Sequence, residues 1–127
     1  TDFMLDFGNW TQYDLDGDGT WGSADYDFPN EFYTGSFIIF NPSQTTPSAT
    51  DPAWQPHSGN KFTACFAANP GPNDDWLITP QLKIATGDEL SFYHKSVTDI
   101  YGLERFRVGI STTGTDPADF TIITPTP

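Results

Sequence analysis

Residues 10–21 read WTQYDLDGDGTW, and what flanks the central DLDGDG decides the fold class. Asp14, Asp16 and Asp18 stand at alternate positions beside Gly17 and Gly19. On an EF-hand template they take positions 1, 3 and 5, Gly19 takes the sharp turn, and Asp25 falls where a bidentate Glu is usual. An EF-hand needs a helix on each side of its loop. WTQY before the loop and YDFP after it are β-like instead. Two readings of the loop stay open: a non-helical calcium site, or an Asp/Gly turn whose carboxylates accept from local amides.

Outward from this stretch, the chain has strand signals almost throughout and no helical apolar period. Phe3–Phe7 is an apolar opening run and Ser36–Phe40 reads as a buried strand; segments 61–66, 76–84, 89–95, 104–111 and 120–124 follow. Phe106, Val108 and Ile110 alternate with Arg105, Arg107 and Gly109, and Leu90, Phe92 and His94 alternate with Ser91, Tyr93 and Lys95. That period of two marks strands with one buried face. Pro80 places an edge or a bulge in WLITPQLKI. Residues 41–60, rich in Pro, Ser and Thr, form a long surface loop by composition. Many short strands separated by turns give an all-β sandwich. The chain is expected to be one domain over residues 1–127, with its C-terminal strands missing after the terminal ITPTP.

Composition bounds the partners. Among the 127 residues, 17 acidic side chains face 5 basic ones, for a formal net charge of -12. Nucleic acid and anionic membrane surfaces need Lys/Arg patches that this chain lacks. An aromatic content of 16% argues against the disorder that acidity alone would predict. No window approaches the length of a membrane span. Cys65 is the only cysteine, so no internal disulfide forms, and KFTACFA presents it as a small buried hydrophobe. A start at Thr1 suits a processed or excised chain.

Catalytic signals are weak. His57 sits in a loop, His94 alternates with core positions, and GISTTG around Ser111 is not a nucleophile elbow. Trp10 and Trp76 are expected in the core. Trp21 and Trp54 lie in polar loops, where aromatics either stack on sugars and anchor protein contacts or fold back as lids. Asn73-Asp74-Asp75 either caps a turn or, with Asp6, holds a cation between strand ends.

The ordered set LDF, DLDGDGTW, SGNKFTACF, NDDWLITPQL, GDELSFYHKS and ERFRVGISTTG resembles the cleaved-adhesin or choice-of-anchor J family. Gingipain haemagglutinin/adhesin domains are its best-known members, and MAM domains are a distant structural cousin. The resemblance implies a jelly-roll β-sandwich of the galactose-binding/MAM-like kind, exported or on the outer surface of Bacteroidetes-type bacteria and non-catalytic. It also implies structural Ca²⁺, with the family's first-strand and pre-DW carboxylates falling on Asp6 and Asp75. Phe7 is followed by Gly8 where the family frequently has Phe-Glu. The expected role is a calcium-stabilised adhesion module. Its partners would be a host or matrix protein, a glycan, or neighbouring domains of one large protein. The alternatives are a carbohydrate-binding module of a secreted hydrolase and a structural spacer. Asp6, Asp14, Asp16, Asp18 and Asp75 are the candidate metal ligands, and Trp21 and Trp54 the candidate ligand anchors.

Overall fold

A computed structural model describes residues 1–125. Thr126 and Pro127 of the ITPTP tail lie outside the described residues. The described residues form strands β1 (Thr11–Asp14), β2 (Gly19–Thr20), β3 (Ile38–Phe40), β4 (Phe62–Ala64), β5 (Ala68–Asn69), β6 (Asp75–Ile78), β7 (Gly109–Ile110) and β8 (Thr121–Ile122), with two 3₁₀ turns between β3 and β4 and one between β7 and β8. The chain is all-β, consistent with a small β-sandwich. Its ladders are antiparallel: β1 with β6, β2 with β5, β3 with β4, and β7 with β8. The chain groups into two compact units, Thr1–Ser91 and Phe92–Pro127.

In the first unit, Phe3, Phe28, Tyr33, Ile38 and Phe40 are buried as one cluster, with Trp54, Phe62, Ala64 and Phe66 packed against it. Phe40 is the hub. Its ring centroid lies 5.5 Å from Phe3, 5.2 Å from Phe28, 5.4 Å from Trp54, 5.3 Å from Phe62 and 6.0 Å from Phe66. The pairs with Phe3 and Phe28 meet edge to face, an arrangement favoured by ring quadrupoles, and the other three are tilted. The Gln12 side chain joins three segments, accepting from Ser36 Oγ and Phe37 N while its Nε2 donates to the Leu5 carbonyl.

Strand β2 lies between two neighbours. It pairs with β5, and Gly19 also bridges Thr34 while Thr20 N donates to the Tyr33 carbonyl at 2.9 Å. In that register Thr20, Tyr33 and Ala68 point inward and are buried, whereas Trp21, Phe32 and Ala67 point outward.

Several expectations are corrected. Asn41, Pro42, Thr45 and Ala49 are buried, so the Pro/Ser/Thr-rich stretch is not simply a surface loop. Its 3₁₀ turns at Pro42–Gln44 and Pro52–Trp54 are capped by Asn41 and Asp51, and Thr45 Oγ1 donates within the loop and accepts from Ala49 N. Cys65 is exposed because Phe62, Ala64 and Phe66 occupy the inward positions of its strand. Trp10 is exposed, since it precedes β1, and Trp76 is half-buried rather than core. Phe3–Phe7 forms no strand, although Phe3 N donates to the Ile39 carbonyl and Ile39 N to that of Met4. Strand β6 stops two residues before Pro80, which cannot extend the ladder.

The second unit departs furthest from its sequence pattern. Of the strands read at 89–95 and 104–111, only Gly109–Ile110 pairs, with Thr121–Ile122. No described residue between Phe92 and Pro125 is buried, and Phe92, Tyr93, Ile100, Tyr101, Leu103 and Phe106 are exposed. Amides with so little covering structure open locally at small cost. In native-state hydrogen exchange, residues 100–107 are expected to exchange on the order of a hundredfold or more faster than Ile38–Phe40. Equal protection in the two segments would contradict this packing.

Candidate functional site

The acidic loop lies between β1 and β2, so its flanks are strands and the EF-hand template does not apply. The loop does make the Asp/Gly turn. Asp14 Oδ1 accepts from Gly17 N at 2.7 Å, and Asp16 Oδ1 accepts from Asp18 N at 3.0 Å. Gly17 has φ +70°, a conformation in which a side chain would be strained.

The ladder then adds what the turn alone lacks. Asp14 is directly opposite Asp75 in the β1–β6 register. Like charges in that position destabilise a sheet. Asp16 Oδ2 accepts from Asp74 N at 2.6 Å, which draws a third carboxylate to the same end of the ladder. One carboxylate oxygen each from Asp14, Asp16 and Asp75 lie within 4.8 Å of one another.

Asp75 carries the clearest signature. Its Oδ2 accepts from Asn73 Nδ2 at 2.6 Å and from Cys65 Sγ at 3.3 Å. Its Oδ1 is buried with no hydrogen-bond partner. Burial pushes the Asp75 carboxyl above the usual carboxylate range, and the charges of Asp16 and Asp14 push the same way, against the hydrogen bonds from Asn73 and Cys65. Three half-buried carboxylates with an orphaned oxygen fit a hard divalent cation, which takes oxygen ligands and offsets their repulsion.

The other candidate ligands lie elsewhere. Asp6 is exposed, its Oδ1 accepts from Gly8 N, and it is not among the clustered carboxylates. Asp18 is half-buried and is not among the clustered carboxylates, and exposed Asp25 is engaged through its amide with Ser23 Oγ. Of the two tryptophans, Trp54 folds back, with its ring 5.4 Å from Phe40 and 5.6 Å from Tyr26. Trp21 stays outward and is 56% exposed. Sequence reading picked out Asn73 with its acidic neighbours but not its role as a donor to Asp75, and it missed Cys65 as a neighbour of that carboxylate. The alternation of Phe62, Ala64 and Phe66 already turns Cys65 outward. The meeting with Asp75 depends on pairing between distant strands.

The model of the Cleaved Adhesin Domain matches residues 7–125. Hemagglutinin A of Porphyromonas gingivalis strain ATCC BAA-308 / W83 is 31% identical over 114 residues, covering 89% of this chain and 4% of that protein. A second Porphyromonas gingivalis Hemagglutinin A is 30% identical over 114 residues, with the same coverage. The chain thus spans about 4% of the length of these relatives. No solved structure gives a significant match. With all-β architecture and a family match across nearly its whole length, the chain belongs to the Cleaved Adhesin Domain family.

Proposed function

We propose that the chain is a non-catalytic adhesion module of an exported or cell-surface bacterial protein, stabilised by Ca²⁺ at Asp14, Asp16 and Asp75. The family match over residues 7–125 carries the adhesive role, and the haemagglutinin names of the relatives support it. Among the described residues no helix is long and apolar enough to cross a membrane. Buried Asp75 Oδ1, without a partner beside two further carboxylates, supports the metal. The cation supplies positive charge between β1 and β6. The protein's part is to hold Asp14 opposite Asp75 and to draw in Asp16 through the Asp74 amide. Partners of such a module are a host or matrix protein, a glycan, or neighbouring domains of the same large protein.

Beads coated with the chain are expected to attach saturably to erythrocytes or to immobilised matrix protein. Soluble folded chain should compete for attachment and heat-unfolded chain should not. Absence of competable attachment to cells, matrix protein and neighbouring parent domains alike would overturn the adhesive reading.

A further inference from the structure

The outward face around β2 carries an aromatic ledge. Trp21 stands opposite Phe32 in the antiparallel register set by the Gly19–Thr34 bridge, and opposite Ala67 on the other side. Trp21 is 56% exposed and Phe32 64% exposed. Phe32 has φ +61°, and Asn30, two residues earlier, has φ +62°. A bulky residue in the left-handed region is a rare outlier. An exposed ring there gains little from burial, so folding alone does not account for a phenylalanine.

The surroundings hold the ledge in place and set its charge. Glu31 Oε1 accepts from Ser23 N at 2.6 Å, tying the chain after Trp21 to the chain before Phe32. A Cβ at Gly22 would meet the outer part of the flexible Glu31 side chain, so a larger residue there would displace the Glu31 carboxylate from this position. Within residues 19–34 the charged residues are Asp25, Asp27 and Glu31, all acidic. Lys61 and Lys83 are the only basic residues between Thr1 and Ser91, and Lys61 is paired with Asp2. The face of an indole or phenyl ring attracts a cation, and nearby carboxylates strengthen that attraction. A neutral sugar would stack on the same rings but gain nothing from the negative field.

We infer that Trp21 and Phe32 form a docking ledge for Arg or Lys side chains of a protein partner. This deepens the adhesive reading and rests on it, since it names the chemistry of one partner class. Arginine is the better fit, because its planar guanidinium stacks on aromatic faces.

The test is an anisotropy titration of the whole chain with a labelled peptide of alternating Arg and Ser. A Glu-for-Arg peptide and neutral oligosaccharides serve as competitors. Wild type is expected to bind the Arg peptide and to prefer it over both competitors. Phe32→Asn and Trp21→Ala are each expected to weaken binding roughly three- to fivefold. Both leave the net charge unchanged, so unaltered binding by both variants would mean bulk electrostatics only and overturn the ledge. Displacement by an oligosaccharide rather than by arginine peptides would overturn the partner class. Phe32→Asn is also expected to melt at or above the wild-type temperature, because Asn tolerates the left-handed backbone. Trp21→Ala provides a second probe independent of that backbone. If both variants still attach to erythrocytes as wild type does, the ledge inference fails and the adhesive reading stands. If the peptide binds at the ledge while no surface is engaged, the reverse holds.

Discussion

Replacing Phe40 by alanine is expected to lower stability by about 3–5 kcal/mol, the range for removing a buried phenylalanine. Phe40 is 0% exposed and its ring meets those of Phe3, Phe28, Trp54, Phe62 and Phe66. The loss therefore combines buried apolar area, a cavity that the rigid rings fill poorly, and several aromatic contacts. Against a typical total of about 5–15 kcal/mol, such a loss leaves the first unit marginal. It should appear as a fall in melting temperature of roughly 10 °C or more. Tyr101→Ala, at a site 93% exposed, is the control and should change stability by no more than about 0.5 kcal/mol. A Phe40→Ala protein that melts with wild type would remove Phe40 from the centre of the core.

In chelator, Asp75→Asn is expected to stabilise the chain. Ionised Asp75 faces Asp14 across the ladder, has Asp16 beside it, and leaves Oδ1 buried without a partner. Replacing the carboxylate by a neutral amide removes the repulsion from Asp14 and Asp16 and the cost of holding a charge in a partly buried place. Asparagine keeps an oxygen that can accept from Asn73. The pH dependence carries the same sign. Burial, then the neighbouring charges, raise the folded-state pKa of Asp75 above its ordinary value of 3.8. A raised acid contributes stability that is fully present below the unfolded pKa and is lost as pH rises through the folded pKa. Metal-free wild type should thus lose stability, relative to Asp75→Asn, as pH rises from about 3.8 through the elevated value. Parallel stability curves for the two proteins, or a less stable Asp75→Asn in chelator, would contradict the burial assigned to this carboxylate.

Local patterns predicted local structure well. The β-like flanks of DLDGDG excluded an EF-hand, and Ser36–Phe40 and Lys61–Phe66 contain the paired strands β3 and β4. The Asp/Gly turn was legible too, because its hydrogen bonds run between residues two or three apart. What failed was non-local. ERFRVGIS has a clean alternation, yet alternation states only that one face is suited to burial. Covering that face takes a partner, and along residues 104–107 no strand pairs. The candidate site divided the same way. Asp14, Asp16 and Asp75 were all named from sequence, but Asp6 was joined to Asp75 as an acidic residue of the opening run and by family resemblance, neither of which carries strand register. The β1–β6 register brings Asp14 to Asp75 instead, through a pairing that residue spacing does not reveal. Trp54 was left between anchor and lid, and the rings of Tyr26, Phe40 and Phe66 hold it as a lid.

The most direct measurement of the metal-stabilised account is a calcium titration followed by thermal melting, with wild type and Asp75→Asn side by side. A cation selective for the folded state raises stability by mass action, about 2.7 kcal/mol at a hundred times its dissociation constant. Wild type should melt progressively higher as calcium is added to the chelated protein, while Asp75→Asn should respond weakly or not at all. A wild-type melting temperature indifferent to calcium, or a rise that Asp75→Asn shares in full, would contradict a stabilising cation at Asp14, Asp16 and Asp75.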